Sequence, residues 1–332
     1  MYKFTKIESY SISTIRAISV LMIFFCHILQ GIDSIMAWWL NVGVQIFLFM
    51  SGFLISSKDI NNFYKFIKER LKKILIPIYL FLFIYLFIYQ YLYKDLSFKN
   101  IITYIFQIQG YNWKVVKTVP GLTHLWFISV IVFSYLVTYF LHKFLLKVKF
   151  YNEKKFYLSV FLLFLISLPL IVVFRTNFFW IWIYITGYFI GGYFRGEVKN
   201  NIVKVLFFIN ILVLSIRIYL QYFYKLDSFL FLSIYIPISH SLLGIFLFCF
   251  LYNFFKQYYR DKEILSKKII YLDKYSYEIY IVHHIFILGP LSILNIKNKI
   301  FSTIIIILIT MVAAYLLKKL ISILNNIFIK NT

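Results

Sequence analysis

Long apolar runs alternate with short polar or charged segments along the whole chain. Each run is close to the ~20 residues that an α-helix needs to cross a bilayer core of ~30 Å. The pattern predicts an all-α, polytopic integral membrane protein that forms one domain over residues 1–332. The ten predicted transmembrane helices are 12–32, 40–57, 74–93, 121–141, 156–174, 178–194, 203–224, 229–255, 275–294 and 301–323.

One apolar segment is left out of this count. Residues 95–120 contain the run IITYIFQIQGYNW, which is too short to cross a bilayer and is followed by KVVKTVPG. We predict that this segment lies at the membrane interface or re-enters the membrane from one side. A full span here would invert the orientation of every later helix.

Charge placement predicts the orientation. Of the 35 Lys and Arg residues, 26 lie in segments that are cytoplasmic if both termini are cytoplasmic, whereas 8 lie in external segments. Such a bias follows the positive-inside rule. A net charge of +23 would suggest nucleic acid in a soluble protein, but these charges lie between apolar runs. We therefore expect membrane lipids as partners and no nucleic acid.

The first predicted span contains two ionisable residues, and placing such side chains inside a membrane costs free energy. Arg16 and His27 are eleven residues apart, about three helical turns, so both lie on one face of the helix. An ionisable side chain inside the membrane usually faces a protein interior or a wet cavity, which makes His27 a functional candidate. The alternative is a structural one, in which His27 bonds to a neighbouring helix and Arg16 reaches the membrane surface.

Further histidines lie in or at the ends of other predicted spans. Histidine titrates near neutral pH and suits general base chemistry. Metal binding is the competing use, but the one close pair is adjacent in sequence, its side chains point ~100° apart on a helix, and carboxylates are scarce. No metal site is predicted. These histidines are His124, His240, His283 and His284, whereas His142 lies in a predicted cytoplasmic loop.

The cytoplasmic segment 58–73 carries six basic residues in KDINNFYKFIKERLKK. One reading is a loop that sets topology and contacts lipid phosphates. The other is a cradle for a phosphorylated cofactor, with Arg70 and Lys73 one turn apart on a helix.

Six stretches, in order, resemble the acyltransferase 3 family of membrane O-acyltransferases, which modify bacterial surface carbohydrates. The resemblance covers nearly the whole chain. The stretches are RAISVLMIFFCH, GVQIFLFMSGFLIS, FIKERLKKILIPIY, HLWFISVIVFSY, ITGYFIGGYFR and YEIYIVHH.

This resemblance implies roles for individual residues. His27 would be the catalytic base or acyl relay, with His283 as a further catalytic residue. Arg16 would hold acyl-CoA or orient the site, and Arg70 and Lys73 would contact the coenzyme A phosphates. The family has arginine at the second of these two positions, and lysine lacks the bidentate fork of arginine. Residues implied to contact the acceptor are His124, Trp126, Tyr280 and Glu278.

The implied activity is transfer of an acyl group, commonly acetyl, from cytoplasmic acyl-CoA to a hydroxyl of a surface or lipid-linked carbohydrate. The implied location is the bacterial cytoplasmic membrane. Two alternatives stay open. A transporter or flippase would use a basic, histidine-lined cavity to move a lipid-linked sugar or a proton. A non-catalytic subunit of a glycan export complex would tolerate replacement of His27 and Arg16.

Overall fold

The computed structural model describes residues 2–58, 60–111, 119–147, 153–174, 178–262 and 267–330, and these contain helices and no strand. The helices are α1 (Lys6–Gly31), α2 (Ala37–Leu40), α3 (Val42–Ile55), α4 (Phe63–Tyr93), α5 (Phe98–Ile105), α6 (Trp126–Lys147), α7 (Glu153–Phe174), α8 (Phe178–Tyr193), α9 (Asn200–Ile218), α10 (Ile236–Lys262), α11 (Lys267–Ile287) and α12 (Lys299–Lys330). The all-helical prediction is confirmed for the described residues.

Within the described residues, seven helical segments are long and apolar enough to cross a membrane. They are Lys6–Gly31, Ala37–Ile55, Phe63–Tyr93, Thr123–Phe144, Asn200–Phe223, Phe231–Lys262 and Lys299–Asn326. The other three predicted spans correspond to α7, α8 and α11, which are helical but shorter or less uniformly apolar. A turn follows Ile287, so α11 ends earlier than the predicted limit at residue 294.

The segment 95–120 contains only short helical pieces in its described part. These are α5 and a 3₁₀ turn at Gln109–Tyr111, and residues 112–118 lie outside the described residues. The predicted loops 142–155 and 256–274 and Arg175 also fall partly or wholly outside them. Neither short piece is long enough to cross a bilayer.

The chain forms two compact units. The first comprises Met1–Ser19, Asn41–Asn61 and Leu136–Ile270. In it, α3 and α8 approach so closely that a Cβ atom on Gly52 would lie 2.0 Å from the Tyr184 carbonyl oxygen. A Cβ on Gly187 would lie 2.1 Å from the Phe49 carbonyl oxygen. Small residues let membrane helices pack backbone to backbone.

The second unit comprises Val20–Leu40, Asn62–Tyr135 and Tyr271–Thr332. It contains the end of α1, the whole of α4 and α12, and most of α11. A buried apolar cluster joins the end of α1 to α11 and α12 through Phe24, Ile28, Ile287 and Ile306. The Tyr277 hydroxyl donates a hydrogen bond of 2.9 Å to the Ile74 carbonyl and so links α11 to α4.

Candidate active site

Four histidines meet inside the second unit, and we call them the imidazole cluster: His27, His124, His283 and His284. The His27 ring centroid lies 4.6 Å from that of His284, 5.1 Å from that of His283 and 6.3 Å from that of His124. His124 stacks on His284 at 4.6 Å. His124, His283 and His284 are buried, while His27 is half-buried. The fold thus joins residues more than 250 positions apart.

A glycine turn places His124. Gly121 has a φ of +81°, and a Cβ there would lie only 3.1 Å from the Tyr85 hydroxyl oxygen. Glycine is favoured in this left-handed region because it has no side chain. The chain then forms a 3₁₀ turn over Thr123–Leu125 before α6 begins. The Tyr280 hydroxyl donates a 2.5 Å hydrogen bond to the His124 carbonyl and fixes this turn on α11.

Backbone carbonyls fix the proton positions of two imidazoles. His283 Nδ1 lies 2.8 Å from the Tyr280 carbonyl oxygen and 3.1 Å from that of Ile279. His124 Nε2 lies 3.1 Å from the Ile281 carbonyl oxygen. A carbonyl oxygen only accepts, so each of these nitrogens carries the proton. His283 Nε2 and His124 Nδ1 are left without a hydrogen bond among the described residues.

The side chain of Gln30 fixes the proton position of His27. His27 Nδ1 lies 2.7 Å from Gln30 Oε1, three residues later on the same helix face. The amide oxygen only accepts, so Nδ1 carries the proton and Nε2 keeps its lone pair. The histidine in the first span therefore has the tautomer that a general base requires.

His284 completes the cluster. Its Nε2 lies 3.2 Å from the Thr123 hydroxyl oxygen, which joins α11 to the turn before α6. His284 was named from the sequence among the histidines of the predicted spans without being given a role, and Thr123 and Gln30 were not singled out. The spacing of three residues between His27 and Gln30 was a usable signal, because such residues are neighbours on a helix surface. No comparable signal links Thr123 to His284, since they are distant in sequence.

The cluster is suited to proton transfer and hydrogen bonding. Three of its rings each offer one unprotonated nitrogen, and such nitrogens accept hydrogen bonds or protons from hydroxyl groups. Within the described part of the chain, no group of three or more His, Cys, Asp or Glu residues has an arrangement able to hold a metal ion.

A second feature of the same unit is a polar groove of about 610 Å³ between α4, α11 and α12, which we call the lysine groove. Its basic side chains are Lys72, Lys73 and Lys318. The amide side chains of Asn325 and Asn326 and the carboxylate of Glu69 also line it. Ammonium and amide N–H groups are donors that suit the oxygens of a phosphate.

Glu278 lies in this groove, apart from the imidazole cluster. Its two carboxylate oxygens each lie 3.1 Å from Lys318 Nζ, which also bonds to the Lys274 carbonyl. The structure thus shows Glu278 in an ion pair at the lysine groove, and its contact with the acceptor stays a prediction. Five residues along a helix turn the side chain by ~140°, so Glu278 and His283 face different neighbours.

The other predicted residues have separate positions. Arg70 lies one turn before Lys73 but does not line the lysine groove; its guanidinium lies 5.7 Å from the Phe66 ring centroid. Trp126 begins α6, and its ring meets that of Phe127 edge to face at 6.4 Å. Arg16 is half-buried in the part of α1 that belongs to the first unit.

Comparison with known proteins gives one match. The family model for the acyltransferase domain of the acyltransferase 3 family matches residues 9–319, nearly the whole chain. No curated protein and no solved structure matches the chain. The family and the apolar helices together indicate a multi-pass membrane acyltransferase. The matched range includes the imidazole cluster and most of the lysine groove, and the chain belongs to the acyltransferase 3 family.

Proposed function

We propose that the protein transfers an acyl group, most simply acetyl, from cytoplasmic acyl-CoA to a hydroxyl of a surface or lipid-linked carbohydrate. The observation that carries this proposal is the buried imidazole cluster in which Gln30 leaves His27 Nε2 unprotonated. A sugar hydroxyl has a pKa far above 7, so its attack on a thioester needs such a base.

In the proposed reaction, His27 Nε2 takes the hydroxyl proton as the hydroxyl oxygen bonds to the thioester carbonyl carbon. The resulting imidazolium lies beside the charge that develops on the carbonyl oxygen. The carbon–sulfur bond then breaks, and the leaving sulfur receives the proton from His27. The products are an ester and a free thiol, and no oxidant or metal is required.

The other rings of the cluster have a positioning role in this scheme. His283 Nε2 and His124 Nδ1 accept hydrogen bonds from further hydroxyl groups of the carbohydrate. A carbohydrate carries several hydroxyls on adjacent carbons, so it matches a site with several acceptors. Tyr280 acts through the backbone, because its hydroxyl is bonded to the His124 carbonyl.

The lysine groove fits the phosphate groups of acyl-CoA, which supplies the thioester when bound. Lys72, Lys73 and Lys318 would hold the phosphates, and their long side chains allow adjustment to the ligand. Arg70, beside Phe66, would add long-range attraction. Glu278 and His283 are five residues apart on α11, ~8 Å along its axis, so one helix contributes to both features.

The proposed topology has ten spans, with both termini in the cytoplasm of a bacterial cell and residues 1–332 acting as one domain. The supporting observation is the concentration of Lys and Arg in the predicted cytoplasmic segments. Under this topology the lysine groove, at the start of α4 and the end of α12, faces the cytoplasm, where acyl-CoA is available.

The test is mass spectrometry of the surface glycans of the host. A deletion strain would carry either the wild-type gene or His27→Ala at matched membrane abundance. We expect one acyl ester to be lost from an otherwise intact glycan. A full set of esters in the variant would refute the role of His27, and a glycan missing from the surface would favour a flippase.

A further inference from the structure

The first unit contains a separate polar groove of about 730 Å³ between the start of α9 and the end of α10. We call it the α9–α10 groove. Three basic side chains line it: Lys204 on α9, and Lys256 and Arg260 on α10. Among the described residues no acidic side chain lines it, and Glu197 and Asp261, which are adjacent in sequence to its lining residues, are not part of its wall. The groove is therefore strongly basic.

Its depth in the membrane follows from the helices that form it. Asn200 begins one apolar segment long enough to span a bilayer, and Lys262 ends another. The groove lies where both segments meet the membrane surface, whichever way the protein is oriented. This is the level of the lipid headgroups. The positive-inside bias further predicts the cytoplasmic leaflet, where anionic lipids are exposed.

The groove is held together by hydrogen bonds. Asn253 Nδ2 donates to the Val198 carbonyl at 3.0 Å and to Asn200 Oδ1 at 2.9 Å. Lys256 is partly neutralised, because its Nζ lies 2.8 Å from Glu8 Oε1. Among the described residues, neither Lys204 nor Arg260 has an ion pair with a carboxylate. Two full positive charges therefore face a preformed recess.

An apolar wall adjoins these charges. Phe250 and Phe254 line the groove, stack at 6.3 Å and are 45% and 52% exposed. Phe250, Phe254, Gln257 and Arg260 follow a spacing of three to four residues, so they form one stripe on α10. The stripe changes from aromatic to basic toward the membrane surface. Acyl chains would contact its apolar part and a phosphate its basic part.

We propose that the α9–α10 groove binds the phosphate diester headgroup of an anionic phospholipid. Lys204 and Arg260 contact the phosphate oxygens, and Phe250 and Phe254 contact the upper part of the acyl chains. The arginine offers a planar fork for two phosphate oxygens, and the lysine adds a point charge. This site is independent of acyl transfer, because none of its residues belongs to the imidazole cluster or the lysine groove.

The test is native mass spectrometry of the full chain in detergent, titrated with phosphatidylglycerol or phosphatidylcholine. The test variant is Lys204→Gln/Arg260→Gln. The control variant is Lys94→Gln/Lys262→Gln, which removes the same charge from span ends outside the groove. We expect the test variant to bind phosphatidylglycerol about 30-fold more weakly than wild type. The control should bind like wild type.

Three results would overturn the proposal. The first is equal binding of phosphatidylglycerol by the test and control variants, with matched thermal unfolding to show that both are folded. The second is equal binding of phosphatidylcholine and phosphatidylglycerol by the wild type. The third is displacement of phosphatidylglycerol by an equal concentration of inorganic phosphate, which would assign the groove to a free phosphate.

Discussion

The imidazole cluster and the lysine groove share helix α11 but differ in how their side chains are held. In the cluster, His283 bonds to backbone carbonyls of its own helix and the His124 turn is fixed by Tyr280. In the groove, Lys318 is one-third exposed and Lys72 and Lys73 are exposed at the surface. Short bonds to rigid partners fix a geometry, whereas long charged chains provide attraction with little direction. Mutations in the imidazole cluster should therefore lower kcat, whereas mutations in the lysine groove should raise KM.

The largest expected effect comes from removing the base. His27→Gln should lower kcat by ~10²–10⁴-fold, the usual contribution of a general base. The measurement is the rate of thiol release from acyl-CoA in membranes with a supplied carbohydrate acceptor. His142→Gln is the matched control, because His142 lies in the first unit, where Nδ1 is 3.0 Å from the Tyr188 hydroxyl oxygen. Equal rates in the two variants would contradict the assignment.

A smaller loss is expected when the tautomer of His27 is no longer fixed. Gln30→Leu should lower kcat by about 10- to 100-fold, by analogy with the partners that orient metal-binding histidines. The KM values for both substrates should stay unchanged, because Gln30 bonds to His27 Nδ1 and the substrates react at Nε2.

Gln30→Glu provides the rescue, since it keeps an oxygen acceptor at the same position. It should retain more activity than Gln30→Leu. If both variants lost the same activity while their thermal unfolding matched wild type, the hydrogen bond to Nδ1 would have no part in the reaction.

Mutations in the lysine groove should weaken the binding of acyl-CoA. Lys73→Gln removes a surface charge worth about 1 kcal/mol, so KM for acyl-CoA should rise about fivefold with kcat unchanged. Added salt should reduce the difference between variant and wild type, because exposed charges are screened. Lys94→Gln, at the other end of α4, is the control. A fall in kcat at constant KM would place Lys73 in the chemical step.

The smallest effect is expected from removing the ion pair between Glu278 and Lys318 in the lysine groove. Glu278→Gln should change the free energy of unfolding by at most about 1 kcal/mol, because Lys318 is one-third exposed to solvent. The midpoint of thermal unfolding in detergent should shift by ~2 °C or less. A shift several times larger would show that Glu278 and Lys318 hold α11 and α12 together as a buried pair does.

The sequence predicted which polar residues lie inside membrane spans, where they cost free energy, but it did not predict all of their contacts. His27, His124 and His283 were named from their positions in the predicted spans, Tyr280 was named from the family resemblance, and the structure brings all four together. Glu278, which the resemblance implied would contact the acceptor, forms an ion pair with Lys318 that the sequence did not predict. A contact across the bundle depends on helix rotation and on where each turn ends.

Apolar run length and charge placement by themselves determined that this chain is a bundle of membrane helices, because backbone polar groups in lipid must be bonded within each segment. The ordered motifs determined the family. Only the tertiary structure decided that four histidines from three stretches share one buried space, and that Gln30 fixes the proton on His27. The physical reason is that burial and hydrogen bonds between distant segments depend on packing, which no local pattern specifies.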